Sequence, residues 1–303
     1  MADTAEVSEV PELADDADAR ADAGSDDPGR PGALLEVRDV TLRFGGVSAL
    51  SGVSFDVRRD ELFAVIGPNG AGKTSIFNCL SAVYRPQQGT IALDGEPLIG
   101  QRPTRVAELG IGRTFQNLGL FTRLTLVDNL LLGRHHLMRT GFLAGALWFG
   151  KARREEIAQR AKVEEIVDLL ELAPYRGQPV GLLPYGIQKR IELGRALAME
   201  PKLLLLDEPV SGMNLEETED MARYILQVRQ ELGLAMILVD HDMHLVMDVA
   251  DRVLALDFGV VIAVGTPDEV RTDPKVIEAY LGGTQGRASA TAWGGGGVVG
   301  GGT

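Results

Sequence analysis

The sequence of 303 residues is 45% hydrophobic, carries a formal net charge of −13 and contains one cysteine. This length and composition suffice for one large α/β domain or two small ones, while a single cysteine excludes an internal disulfide and no Cys/His cluster has zinc spacing. The acidic balance and the lack of a basic stripe argue against direct nucleic-acid binding. No stretch reaches about 18 consecutive apolar residues, so we predict no spanning helix. The single cysteine fits a cytosolic location.

Both ends of the sequence differ in composition from the middle. Residues 1–32 hold ten Asp and Glu residues against two Arg, and they have neither a basic start nor an apolar core. This is typical of a disordered acidic tail and not of a signal peptide. Residues 282–303 hold ten glycines without hydrophobic periodicity, which is typical of a flexible tail. We therefore expect residues 33–281 to form the folded domain.

The first predicted elements are β-strands. Residues 34–57 alternate apolar and polar side chains, and Gly45-Gly46 predicts a turn between two antiparallel strands. Phe44 ends the first strand, where its ring either stacks on a nucleotide base or is a core residue beside a turn. Residues 89–95 predict another short strand, and residues 105–110 predict a short helix.

The stretch from residue 62 to 75, LFAVIGPNGAGKTS, carries the strongest functional signal. A buried strand breaks into a glycine-rich loop of the form G-x-x-x-x-G-K-[ST], and a helix follows. Glycines let a phosphate chain approach backbone N–H groups, while Lys73 would bridge the outer phosphates and Thr74 would coordinate Mg²⁺. The predicted nucleoside triphosphate site comprises Gly67, Pro68, Asn69, Gly70, Ala71, Gly72, Lys73, Thr74 and Ser75.

Two later strands end in residues that suit phosphate chemistry. An apolar run at residues 203–206 ends in Asp207 and Glu208, and another apolar run ends at Asp240 before His241. Ligands collect at the carboxyl ends of parallel strands, so Asp207 would hold Mg²⁺ directly or through water, and Glu208 would accept a proton from the attacking water. His241 lies where a γ-phosphate sensor is needed. The alternatives are solvated acids at a strand end and a surface or helix-capping histidine.

The remaining segments complete an α/β pattern. From Thr125 the sequence becomes helical, and residues 151–172 predict an amphipathic helix that packs on the core. Residues 252–265 predict a β-hairpin through Phe258-Gly259, and two closing helices follow at 267–272 and 273–281.

These motifs together resemble a known family. The P-loop GPNGAGKT, the loop glutamine Gln116, the acidic motif LLLLDEP and His241 occur in the order and spacing of the nucleotide-binding subunit of ABC transporters, over about residues 33–281. Within that family the chain is most similar to the ATPase subunits of branched-chain (hydrophobic) amino-acid importers. The segments that suggest this are RFGGVSAL, GIGRTFQN, DEPVSGMN, VDHDMHLVMDVADRVLALDFG and VIEAYLG.

The resemblance implies a fold and a chemistry. The fold would be an α/β P-loop ATPase with a mostly parallel central sheet, an N-terminal antiparallel β layer and a helical subdomain at about residues 127–190. The activity would be hydrolysis of ATP with Mg²⁺, coupled to transport. Glu208, His241 and Gln116 would be catalytic, and Gln116 would join Thr74 and Asp207 at the metal.

The signature motif departs from the usual LSGGQ of the family. Residues 183–187 read LPYGI, and the resemblance implies that Tyr185 and Gly186 face the γ-phosphate bound by the opposite subunit. Pro184 suits the first turn of a helix but supplies no serine hydroxyl. We therefore expect the two ATPase subunits still to close on ATP, but without the contact of that hydroxyl with the phosphate. Asn214, in the loop after the acidic motif, is predicted to cap a helix together with an acidic residue at the third position.

The implied partners are membrane permease subunits, a second ABC ATPase subunit or a second copy of this chain, and indirectly a solute-binding protein. The chain would lie in the cytoplasm, peripheral on the inner face of the cell membrane. Residues 141–150, GFLAGALWFG, form either a core segment or a surface where Phe142, Leu147 or Trp148 meets a permease. The alternatives are an importer of urea, short amides or another small solute, a non-transport ABC ATPase, and a module that binds ATP without hydrolysing it.

Overall fold

The computed structural model describes residues 32–114, 118–135 and 151–282, with the side chains of residues 151–155 left out. Most of the two predicted tails therefore lies outside the described residues. The same holds for Gln116 and the apolar stretch at 141–150, so the predictions for these positions stay predictions.

The N-terminal part of the described chain forms an antiparallel sheet. Its four strands are β1 (Ala33–Phe44), β2 (Val47–Arg58), β4 (Gln88–Leu93) and β5 (Glu96–Pro97), in the order β2-β1-β4-β5. The Gly45-Gly46 turn between β1 and β2 is confirmed, with Phe44 paired to Val47 across it. The predicted antiparallel layer is therefore present, and β5 adds a short edge strand that the sequence pattern did not indicate.

The second sheet contains the strands that lead to the predicted site. Its six strands run in the order β10-β9-β3-β8-β7-β6, and every pair is parallel except β9 with β10. They are β3 (Leu62–Ile66), β6 (Ile111–Arg113), β7 (Leu203–Asp207), β8 (Ala235–Val239), β9 (Arg252–Asp257) and β10 (Val260–Gly265). All residues of β3, β7 and β8 are buried, as their continuous apolar runs predict. Because these strands are parallel neighbours, their carboxyl ends meet at one edge.

Nine α-helices lie within the residues that the structure describes. They are α1 (Lys73–Leu80), α2 (Pro103–Leu109), α3 (Leu126–Gly133), α4 (Lys151–Leu169), α5 (Tyr185–Leu197), α6 (Leu215–Leu232), α7 (Met243–Val249), α8 (Pro267–Thr272) and α9 (Pro274–Gly282). The predicted stripe of α4 is buried, with Val163 and Val167 fully inaccessible and Ile166 8% exposed. Asn214 caps α6 in a capping box with Glu217, as predicted. No helix among the described residues is long and apolar enough to cross a membrane.

The core lies on both faces of the parallel sheet. Successive strand residues point to opposite faces, so Ile66 packs with the helices while Val65 packs with the antiparallel sheet and α1. The same alternation holds for Leu204 and Leu205 on β7. Burial of both faces fixes the sheet, and thereby the positions of the loops that follow its strands.

The only cysteine of the chain, Cys79, is buried on α1. Burial raises the pKa of its thiol to about 12, so the reactive thiolate is scarce at neutral pH. We expect the native protein at pH 8 to react with a thiol-specific reagent at least about 10²-fold more slowly than the urea-unfolded chain. Labelling is monitored by absorbance, and equal rates for the native and the urea-unfolded protein would contradict the burial of this thiol.

Candidate active site

The P-loop begins where β3 ends, and its backbone requires glycine. At Gly67, which has a φ of +148°, a Cβ atom would lie 2.2 Å from the carbonyl oxygen of Leu256 on β9. At Gly70, φ is +83° and a Cβ atom would meet nothing within 4 Å. The first glycine therefore permits close packing against the sheet, and the second allows a left-handed turn that borders open space. This is the geometry that the phosphate-binding prediction requires.

Lys73 is the first residue of α1, and its ammonium group folds back over the loop. Its Nζ donates hydrogen bonds to the carbonyl oxygens of Gly67 at 2.6 Å and Pro68 at 3.1 Å. Burial lowers the pKa of Lys73, and the negative charge of Glu208 partly opposes that shift. Strands β3 and β7 both run parallel to β8, which lies between them, so the P-loop lysine and the acidic motif follow strands that end at the same edge of the sheet.

Asp207, the last residue of β7, is buried beside a cation that the sequence reasoning missed. The Arg113 guanidinium, at the end of β6, lies 2.7 Å from Asp207 Oδ2, and the two side chains are 12% and 8% exposed. A second guanidinium nitrogen donates to Asn78 Oδ1 and Ser81 Oγ, which follow the P-loop on and after α1. Arg113 thus ties two strand ends to the P-loop helix. Its signal in the sequence is an arginine at the end of the short apolar segment before Gln116.

The oxygen donors at this edge fit Mg²⁺. This ion usually binds through one or two protein oxygens together with phosphate oxygens and water. The Thr74 hydroxyl, next to Lys73, and the Asp207 carboxylate supply that donor set, while Gln116 lies outside the described residues. Arg113 engages Oδ2 of Asp207, so a metal contact would use the other carboxylate oxygen or a water molecule. The donor set therefore suits a metal ion that binds together with the nucleotide phosphates.

The backbone of Glu208 departs from the extended conformation of the strand before it. Its φ is +48°, an unusual value for a residue with a Cβ atom, and its N–H donates to the carbonyl oxygen of Val239 at the end of β8. Asp207 is buried whereas Glu208 is half-buried. Such a conformation costs about 1–3 kcal/mol and persists only where its surroundings enforce it. The two acids thus have separate environments, which suits the separate roles predicted for them.

His241 follows β8, and its backbone is held in place by the side chain of its neighbour Asp240. Asp240 is 2% exposed, and its Oδ1 accepts the backbone N–H groups of His241 at 2.7 Å and Asp242 at 3.0 Å. Burial raises the pKa of Asp240, and these N–H groups and the imidazole oppose the shift. The imidazole side chain of His241 is 66% exposed. Asp240 thus shapes the turn that presents the histidine, a role that the sequence reasoning did not assign.

The signature segment packs against the loop after the acidic motif of the same chain. Helix α5 begins at Tyr185, so Pro184 is its N-cap and not a residue of its first turn as predicted. The Tyr185 hydroxyl donates to the carbonyl oxygen of Ser211 at 3.0 Å. A Cβ atom at Gly186 would lie 2.8 Å from Glu217 Oε1. The predicted contacts of Tyr185 and Gly186 with a nucleotide require a second subunit and stay predictions.

Phe44 is not a core residue. Its side chain is 48% exposed, and its ring packs edge-to-face against Tyr84 with 5.0 Å between the ring centroids. This exposure leaves a ring face for a nucleotide base, although base stacking itself stays a prediction.

Comparisons with known proteins agree with this geometry. A family model described as ABC transporter matches residues 50–211, which contain the P-loop, the signature segment and the acidic motif. The chain belongs to the ABC transporter ATP-binding family. A second model, described as branched-chain amino acid ATP-binding cassette transporter, matches residues 260–284. Members of the ABC family hydrolyse ATP to drive transport, so the predicted family, fold class and ATPase activity are confirmed.

Two curated relatives of this ABC protein are similar over nearly their full length. It is 42% identical over 252 residues to the high-affinity branched-chain amino acid transport ATP-binding protein BraF of Pseudomonas aeruginosa, covering 82% of this chain and 98% of BraF. It is 39% identical to LivG of Escherichia coli K12, a protein of the same description, with the same coverage.

A solved structure confirms the fold of the ABC domain. The ADP conformation of MJ1267, an ATP-binding cassette of an ABC transporter, is 27% identical with a TM-score of 0.73, and the match covers 83% of this chain and all of MJ1267.

Proposed function

We propose that this chain is the ATP-binding and ATP-hydrolysing subunit of a multi-subunit importer of branched-chain or other hydrophobic amino acids. The observation that supports the proposal is that β3, β8 and β7 are parallel neighbours ending at one edge, with Lys73 at the end of the loop after β3 and Asp207 and Glu208 at the end of β7, in a chain that spans 98% of BraF. The match at residues 260–284 favours amino acids over urea or short amides as the transported solute.

In the proposed mechanism each side chain of the site has one role. Bound phosphates replace the carbonyl oxygens of Gly67 and Pro68 as partners of the Lys73 ammonium, while N–H groups of the loop and of α1 receive the phosphate oxygens. Thr74 and Asp207 would hold Mg²⁺, which would neutralise charge on the phosphates. Glu208 accepts the proton of the attacking water, and His241 donates to the γ-phosphate.

The catalytic unit is a dimer in which each ATP lies between one P-loop and the signature helix α5 of the other subunit. The second subunit is a related ATPase or a second copy of this chain. The dimer binds permease subunits at the inner face of the cell membrane, and these receive the solute from a solute-binding protein. No helix among the described residues is long and apolar enough to cross a membrane, and the proposal assigns passage of the solute to separate permease subunits.

The transport assignment is tested by purifying the tagged chain from its native membranes. We expect integral membrane subunits to co-purify, and proteoliposomes containing that complex to take up labelled leucine in an ATP-dependent manner. Uptake of urea without leucine would favour the small-solute alternative. Absence of membrane subunits would favour a non-transport ABC ATPase, and ATP binding without measurable hydrolysis would favour a binding module.

Pro184 provides a test of the dimer. Pro184 is exposed at the N-cap of α5, a position where Ser and Asp both stabilise a helix. In the hydrolysis-deficient Glu208→Gln background, Pro184→Ser should slightly tighten the ATP-dependent association of the two subunits, because the serine hydroxyl can donate a hydrogen bond to the γ-phosphate. Pro184→Asp should weaken association more than about tenfold, because its carboxylate repels the γ-phosphate.

Association is measured by analytical ultracentrifugation with and without ATP. The Asp variant is preferable to a change at Gly186, since a side chain there would collide with Glu217 in its own chain. If Pro184→Asp associates as well as its parent, the start of α5 does not face the nucleotide.

A further inference from the structure

The first side chain of the signature helix α5 contacts the loop that follows the acidic motif. The Tyr185 hydroxyl donates a hydrogen bond to the backbone carbonyl oxygen of Ser211 at 3.0 Å, across 26 positions of the chain. The ring lies against the next residue, because a Cβ atom at Gly212 would lie 3.4 Å from Tyr185 Cε1. The φ of Gly212 is +80°, a left-handed value that favours glycine. The hydroxyl and the ring therefore contact two consecutive residues of this loop.

Ser211 belongs to the turn that carries Glu208. The Ser211 N–H donates to the carbonyl oxygen of Glu208 at 3.2 Å, and the Glu208 N–H donates to the carbonyl oxygen of Val239 at 2.8 Å. A residue with a Cβ atom keeps a left-handed backbone, here with a φ of +48°, only where its surroundings enforce it. The Glu208 backbone is thus held at its N–H by β8 and at its carbonyl oxygen by Ser211, which Tyr185 holds in turn.

Helix α5 is fixed independently of the Tyr185 hydroxyl. Gly186 packs against the start of α6, where its added Cβ atom would lie 2.8 Å from Glu217 Oε1. Further along α5, the Arg190 guanidinium donates to the Tyr224 hydroxyl of α6, and its Cζ lies 4.8 Å from the centroid of the Tyr224 ring. The Tyr185 ring therefore projects from an anchored helix. Loss of the hydroxyl alone should release the loop and leave the helix in place.

We propose that Tyr185 is a positioning residue for the general base: its hydroxyl holds Ser211, and Ser211 holds the backbone of Glu208. The inference rests on the proposed function and deepens it. In the proposed dimer the start of α5 meets the ATP of the other subunit, whereas Glu208 acts on the ATP of its own P-loop. The Tyr185–Ser211 bond therefore joins the parts of this chain that serve the two ATP sites.

The experiment compares Tyr185→Phe, which removes only the hydroxyl, with Tyr175→Phe, the same change in a half-buried tyrosine at the end of the segment Ala173–Tyr175. Both are assayed in the complex purified from native membranes. We expect Tyr185→Phe to lower kcat for ATP hydrolysis about 3–10-fold while KM for ATP stays within about twofold, because the base is displaced and the P-loop is unchanged. Tyr175→Phe leaves the Ser211 bond intact and should keep both constants at parent values.

The double variant Tyr185→Phe/Glu208→Gln tests whether the hydroxyl acts through the base. If Tyr185 positions Glu208, its own effect should disappear once Glu208 is replaced. The double variant should then hydrolyse ATP within about twofold of the Glu208→Gln rate in single-turnover assays. An equal loss in both backgrounds would show that the hydroxyl acts independently of Glu208 and would overturn the proposal. A higher KM with parent kcat would overturn it as well, since the hydroxyl would then contact the nucleotide.

Amide hydrogen exchange of the full chain gives a second readout that needs no ATP, because the bond lies within one subunit. The Ser211 amide should exchange at least about threefold faster in Tyr185→Phe than in the parent, and no faster in Tyr175→Phe. Unchanged kcat and unchanged Ser211 exchange in Tyr185→Phe would overturn the proposal. Parent-like hydrolysis by Glu208→Gln would instead overturn the base assigned in the proposed function, which distinguishes that failure from a failure of Tyr185 alone.

Discussion

Glu208→Gln is expected to bind ATP at least as tightly as the parent and to hydrolyse it about 10²–10⁴-fold more slowly, the usual contribution of a general base. The amide keeps the size of the side chain but cannot accept the proton of the attacking water. It also removes a negative charge close to Lys73, where the phosphates bind. Turnover is measured by phosphate release, and affinity by fluorescence of a labelled ATP analogue.

Two controls separate catalysis from binding and from folding. Lys73→Ala should weaken ATP binding itself, because it removes the cation that bridges the phosphates. Glu231→Gln changes an exposed glutamate in the last turn of α6 and should leave turnover unchanged. Parent-like hydrolysis by Glu208→Gln would show that another group is the base.

Arg113→Met is expected to lower the free energy of unfolding by about 3–5 kcal/mol, because it leaves the buried Asp207 carboxylate without its cation. The Arg113–Asp207 pair is 2.7 Å apart with side chains only 12% and 8% exposed, so water compensates only partly for the lost partner. The measurement is urea unfolding followed by circular dichroism, with and without ATP.

The exposed pair Arg38–Glu36 provides a control with nearly the same distance between its charged atoms. Its atoms are 2.8 Å apart, but the side chains are 40% and 36% exposed. Arg38→Met should therefore cost less than about 1 kcal/mol. The double variant Arg113→Met/Asp207→Asn should recover part of the lost stability, since it no longer buries an unpaired charge. Equal effects of the two Arg→Met variants would show that burial does not strengthen the Arg113 pair.

The sequence by itself determined the elements whose cause is local. The buried strand Leu62–Ile66, the acidic strand end at Asp207 and the hairpin turn at Phe258-Gly259 follow from apolar runs punctuated by glycine or charge. The Asn214 capping box also follows, because its partner Glu217 lies only three residues further on. The P-loop pattern predicted a nucleotide site for a similar reason, since its glycines, lysine and threonine lie within eight consecutive residues.

Only the tertiary structure decided the contacts that join distant parts of the chain. Arg113 meets Asp207 across 94 positions of the chain. No periodicity encodes such a pair, because the order of strands in the sheet and the packing of helices determine which side chains meet. The left-handed backbone of Glu208 also lay beyond sequence reasoning, since a residue with a Cβ atom adopts it only where its neighbours enforce it.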